Sequence, residues 1–223
     1  MDYEYRCKEV IPLFQSDAFE TIRGLDFYLQ ALEQFINEKE AQEVSDLKRH
    51  ADHLPAERQG EFWAWHYPVH WKEILASQLR SSFIVSLVSL AESHVGMVSE
   101  QALKIAQAPL KPRDLGGGFF ERHRKRLETF ADFQRPSTSS WDGLYSIRDI
   151  RNCIVHASGR LFNAKNKKRL RSLVDSLPGL TASYDVLEFA PEFPAWAIGE
   201  VRTFIDALYE EAADLCVRIG ISP

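Results

Sequence analysis

At 223 residues, 45% of them hydrophobic, the chain is long enough to bury a core without covalent staples, and its net charge of −5 gives no overall pull toward a polyanion. Its three cysteines, Cys7, Cys153 and Cys216, have no paired spacing, which favours separate thiols in a reducing cytosol over a disulfide framework. The opening "MDYEYRCKEV" lacks a basic head followed by an apolar run, and the most apolar stretch, "SSFIVSLVSLAESHVGMV", is interrupted by serines, Glu92 and His94, so a cytoplasmic protein without a membrane span is expected.

Ser16 and Asp17 read as caps of a long amphipathic helix over 16–49, with Phe19, Ile22, Leu25, Leu29, Leu32 and Ile36 among its apolar residues at helical spacing. Pro55 and Gly60 predict a loop, and "EFWAWHYPVHW" after it an aromatic plug on the core. Residues 70–107 read as the central helix, apolar on most sides between Phe83 and Ala91. Along it Ser82, Ser86, Ser89, Ser93 and Gly96 form a narrow line of small residues that lets another helix come close. "APLKPRDLGGG" predicts a hinge or ordered loop; with no preceding strand and no following Gly-Lys-Ser/Thr, its glycines are not a phosphate-cradling loop. Further helices are predicted at 118–133, 139–157, 163–176 and 193–219, the last starting after Pro194. The alternation in "SYDVLEFAPEF" predicts a short β-hairpin between Ser183 and Phe193. The expected fold class is all-α: an N-terminal helical extension, 1–69, packed on a helical domain, 70–223, as one compact unit.

Charge is distributed unevenly. Residues 101–172 hold 16 Lys and Arg against six Asp and Glu, a balance of +10, and the remainder carries the opposing −15. Two runs, "RHRKR" (122–126) and "KNKKRLR" (165–171), make Arg122, Arg124, Lys125, Arg126, Lys167, Lys168 and Arg169 candidates for contact with an RNA backbone; the plainer reading is two solvated helix faces.

Between the runs lies "RDIRNCIVHASG", residues 148–159. Leu144, Ile147, Ile150, Ile154 and Ala157 form its buried stripe, and Arg148, Asn152 and His156, each about 40° from the last, share a second face. Cleaving RNA without a metal requires a group that moves a proton at the 2′- or 5′-oxygen and a cation that steadies charge on phosphorus. Histidine suits the first task and the planar, always protonated guanidinium the second, which assigns His156 and Arg151; Asn152 can hold the ring or donate to a phosphate oxygen. A five-residue step turns about 140°, so Arg151 and His156 meet only if the arginine curls over or the partner comes from a second subunit. Otherwise the pair caps and salt-bridges a helix end, where the macrodipole favours cations. Cys153, beside apolar neighbours, is expected to pack. His50, His53, His66 and His70 mimic a zinc spacing, but structural zinc sites are usually rich in thiolate and Pro68 breaks the helix that would align them, so no metal or other cofactor is expected.

"RNCIVH" resembles the signature of the HEPN superfamily of small α-helical proteins: Arg, a polar residue, three variable residues and His, late in a helix. The resemblance covers roughly residues 70–220. It implies a HEPN-like bundle in which Arg151 and His156 are catalytic, Asn152 holds the motif's polar position, and Glu92 and Arg148 support the site. It further implies a homodimer whose cleft joins the residues of two chains, making a metal-independent endoribonuclease that leaves 2′,3′-cyclic phosphate ends. Such proteins act as toxins, in abortive infection and phage defence, or in RNA processing, with an antitoxin or nucleotidyltransferase as partner. A catalytically inactive HEPN-like module binding RNA or a nucleotide is the alternative.

Overall fold

The structure, a computed structural model, describes residues 3–108 and 116–221. Pro109 and Pro112 of the expected hinge lie outside the described residues. The described residues are 79% helical and contain one two-stranded sheet, so the all-α class holds.

In chain order, α1 (Tyr3–Tyr5), a π-helical turn (Arg6–Val10) and α2 (Ile11–Ala51) run on without a break. Ser16 and Asp17 are therefore inside a helix and not its caps. The buried stripe continues upstream through Ile11 and Cys7, and the π turn stands just before Pro12, whose missing N–H removes an α-type bond. α3 (Ala56–His66) follows Pro55 and includes Gly60, where a loop was expected. None of its residues is buried, and Trp65 is 81% exposed, so the tryptophan segment is no core plug. It leans on α2 by its polar atoms: Tyr67 Oη donates to Glu40 at 3.4 Å and Trp71 Nε1 to Glu43 at 2.7 Å.

After a π turn (His70–Leu75), α4 (Ala76–Ile105) forms the centre of the fold. Phe83, Ile84, Leu87, Val88, Ala91, Val95, Val98 and Ala102 are almost wholly buried, because α2, α5, α6 and α8 pack around this one helix. Removing each large side chain from water contributes about 1.5–3 kcal/mol. An 18-residue stretch within 56–105 has mean hydropathy 1.5, enough by length and composition alone to cross a bilayer. α2 joins the same core through Ile11, Ala18, Ile22 and Leu29.

α5 (Phe119–Phe130), α6 (Thr138–Ala157), a 3-10 turn (Leu161–Asn163) and α7 (Lys167–Ser176) follow, then β1 (Leu180–Ser183), β2 (Val186–Phe189) and α8 (Glu192–Arg218). The hairpin begins earlier than the sequence alternation suggested: Tyr184 and Asp185, at φ 48° and 65°, make its two-residue turn. α8 starts before Pro194, which falls in the first turn where a missing N–H costs little.

The cysteine expectation is corrected for two of the three. Cys7 and Cys216 are disulfide-bonded, with Cα atoms 5.7 Å apart, and only Cys153 is a free, buried thiol. The pairing joins residues 209 positions apart, so no local spacing signals it; packing of the N-terminal helix against α8 brings them together.

Candidate active site

The C-terminal half of α6 carries the motif, and its ends are anchored. Ser137 caps the start, its hydroxyl accepting from the Ser140 N–H. Ser158 closes the helix in the left-handed region at φ 52°, and Gly159 at φ 73° turns the chain back. The exit is then stitched to the hairpin, Leu161 N–H donating to Asp185 O and Leu187 N–H to Gly159 O. Ile147, Ile150, Cys153 and Ala157 face the core, which sets Arg148, Arg151, Asn152 and His156 on other sides of the helix.

His156 is exposed and lines a cleft of about 460 Å³ between α6 and the 161–167 connection. Its apolar lining comes from Cys153, Ala157, Ala164 and Leu170; Asn152, Asn163, Lys165 and Asn166 supply polar groups. A second cleft of about 770 Å³ shares Lys165 and Asn166 and adds Lys167, Lys168 and Arg169 from the first turn of α7. Lys165 and Asn166 belong to the basic run 165–171, without a role of their own in the sequence analysis, and Asn163 just before it gives no signal beyond its residue type.

Arg151 is not in that cleft. Its Nη1 donates to Asn152 Oδ1 at 3.0 Å, its Nη2 lies 3.9 Å from Glu92 Oε2 on α4, and its buried Nε has no hydrogen-bond partner. Within one chain, then, the structure joins Arg151 to Glu92 and Asn152 and sets Asn152 and His156 in one cleft, but does not bring Arg151 to His156. The 140° step is not closed by the arginine curling over. Ser82, Ser86, Ser89 and Ser93 of α4, the helix of Glu92, are exposed, and the first three donate their hydroxyls to carbonyls one turn back. Gly96 is the exception: a Cβ there would stand 3.6 Å from the Phe119 ring.

Arg148 anchors an ion-pair chain across three helices. Its Nη1 donates to Glu121 of α5 at 2.6 Å and its Nη2 to Asp149 at 3.0 Å, while Asp149 pairs with Arg169 Nε of α7 at 2.6 Å. Burial opposes charge on Arg148, but the two carboxylates outweigh it and raise its pKa. The α7 run is thereby tied to the motif helix through Arg169, and α5 through Glu121.

The α5 run is less available than expected. Arg122 Nη1 donates to Gly117 O, Lys125 Nζ to Gly116 O, and Arg124 Nε to Glu128 while its guanidinium lies 5.9 Å from the Trp141 ring centre. Arg126, expected to face phosphates, is buried at 5% exposure, because Phe120, His123 and Leu127 share its face of α5. Burial, then the charges of Arg126 and Arg122, push the His123 pKa down to about 4. On α7, by contrast, Lys167 and Lys168 are exposed.

The other titratable candidates are explained by packing. Burial raises the Cys153 thiol, which keeps it protonated. His50, His53 and His66 each place Nδ1 against a carbonyl four residues back, and His70 Nε2 lies 3.6 Å from Glu43. Among the described residues no three His, Cys, Asp or Glu are grouped to hold a metal ion. Comparison with known protein families, with curated proteins and with solved structures finds no match to this chain.

Proposed function

We propose that the protein is a metal-independent endoribonuclease of HEPN type, acting as a homodimer. The observation that carries the reading is the placement of an exposed His156 in a cleft that runs into the cationic first turn of α7. Lys167, Lys168 and Arg169 occupy a helix start, where the macrodipole disfavours cations by about 0.3–1 kcal/mol each; a bound phosphate offsets that cost. Positive charge is concentrated where an RNA backbone would enter.

In the reaction the 2′-oxygen attacks phosphorus and the 5′-oxygen leaves, giving a 2′,3′-cyclic phosphate and a 5′-hydroxyl. His156 accepts the 2′-hydroxyl proton or delivers one to the leaving oxygen, and a guanidinium stabilises the charge on the phosphoryl oxygens. Arg151 supplies that guanidinium from the second chain, released from Glu92 when the phosphate arrives. The exposed serine line on α4, the helix that carries Glu92, leaves that helix open to close approach by a partner's helix. A toxin or phage-defence effector restrained by an antitoxin or nucleotidyltransferase partner is the cellular role that fits such chemistry.

A second reading, an inactive HEPN-like RNA-binding module, is favoured by one observation: Arg151 is held by Asn152 and Glu92, outside the cleft of His156. Incubation with single-stranded RNA in excess EDTA separates the two. The nuclease reading expects fragments with 2′,3′-cyclic ends that disappear with His156→Ala. RNA retained intact, or fragments equally abundant with that variant, removes the enzymatic claim.

A further inference from the structure

We propose that the cleft beside His156 is a nucleobase pocket, so that the protein selects RNA by the base seated next to the scissile phosphate. The inference rests on the reading of His156 as a reacting group on RNA, and extends it to the choice of substrate.

The chemistry of the lining differs from that of a phosphate site. A phosphate offers only acceptors, and the lysines and arginine of the neighbouring cleft suffice for it. The His156 cleft has Lys165 at the edge it shares with that cleft, and otherwise combines an apolar surface with neutral amides. Cys153, Ala157, Ala164 and Leu170, each buried at 8% exposure or less, offer nothing to a phosphate or a ribose hydroxyl but accept the flat face of a base. Asn163 and Asn166 stand on the same connection with exposed side-chain amides that have no hydrogen-bond partner among the described residues. Each amide presents donors and an acceptor together, the pattern that matches the alternating groups on a base edge. Asp149 also lines the cleft, but Arg148 and Arg169 neutralise it, so it does not repel the adjoining phosphate.

Size and connection agree. About 460 Å³ lies within the range of pockets that take one small ligand, and Lys165 and Asn166 belong to both clefts. A strand with its base in the first cleft therefore runs its backbone past Lys167 and Lys168. Only an unpaired base can turn into such a pocket, which makes single-stranded or loop RNA the substrate class.

The test measures binding of AMP, GMP, CMP, UMP and ribose 5-phosphate to the purified full chain at low salt. At least one nucleotide is expected to bind tenfold or more tighter than ribose 5-phosphate, as about 1.4 kcal/mol from one base-edge contact gives. Asn163→Ala and Asn166→Ala should each shrink that ratio to about threefold or less. Lys168→Ala should weaken nucleotides and ribose 5-phosphate alike. Equal binding of all five probes, no binding of any nucleotide, or a base preference untouched by both asparagine variants overturns the inference. The two readings fail separately. RNA cut without base preference and nucleotides bound no better than ribose 5-phosphate would leave a nuclease without this pocket; selective nucleotide binding with no cleavage would leave the pocket and end the nuclease.

Discussion

Arg151 and Asn152, neighbours on α6, are joined side chain to side chain, Nη1 of the arginine donating to Oδ1 of the amide at 3.0 Å. Because Asn152 also lines the cleft of His156, the amide stands between a cation that faces α4 and an imidazole that faces α7. A site needing both groups on one phosphate is incomplete in a single chain. Arg151→Ala and His156→Ala are therefore each expected to lower RNA cleavage by about 10²- to 10⁴-fold. Mixing the two dead proteins should restore about a quarter of wild-type activity, since half of the dimers are mixed and each mixed dimer rebuilds one intact site. A mixture as inactive as its components refutes the shared site.

Lys167 and Lys168 are exposed on the first turn of α7, and phosphate contacts are counted by their salt dependence. Replacing either by Ala should reduce the slope of log K against log salt for RNA binding by about one. Arg126→Ala, by contrast, should leave the slope unchanged, because that guanidinium is buried, and lower stability through the packing its stem loses. Filter binding over a salt series measures the first effect and urea unfolding the second.

His123 makes the fold acid-sensitive. Its folded pKa of about 4 lies below the unfolded value of 6.5, so the native state binds fewer protons than the unfolded chain between these limits. Its contribution is intact above about pH 6.5 and is lost as the pH falls toward 4, by up to about 3 kcal/mol. His94, buried against Tyr209, shifts in the same direction. His123→Phe keeps an aromatic ring beside Phe119 and should flatten the difference in unfolding free energy between pH 7 and pH 4.5; an unchanged difference contradicts the assignment.

Reduction should weaken the fold. The Cys7–Cys216 bond closes nearly the whole chain into a loop, and loop entropy assigns such a bond at most about 5 kcal/mol. Urea midpoints should fall on adding a reductant, and Cys7→Ala should remove the response to it.

Asp149, at 6% exposure, holds Arg148 and Arg169 together. Asp149→Ala leaves Arg148 with Glu121 alone and takes this partner from the half-exposed Arg169, and is expected to cost about 2–3 kcal/mol, less than a fully buried pair would. Asp149→Asn, which keeps an acceptor, should cost less. Equal midpoints for the two variants would deny the ion pairs a role.

The central helices were legible because α4 and α6 bury continuous apolar stripes, which a 3.6-residue period shows directly. Other features misled for physical reasons. Trp63, Trp65 and Trp71 promise burial by their size, yet the contacts of this segment with α2 leave Trp65 in solvent. The hairpin was displaced because its turn, Tyr184–Asp185, adopts positive φ without glycine or asparagine. Arg126 looked like part of a surface run, since charge type does not tell which residues a helix turns inward.

The sequence by itself determined the helical class, the core face of the motif helix and the clustering of positive charge, all set by periodicity or composition within short stretches of chain. Tertiary structure decided the Cys7–Cys216 pair, the joining of Arg148, Asp149 and Arg169, the cleft that His156 shares with Asn163 and Asn166, and the turning of Arg151 toward Glu92. Those relations depend on how separate helices pack, and side-chain spacing along one helix carries no information about what faces it from another.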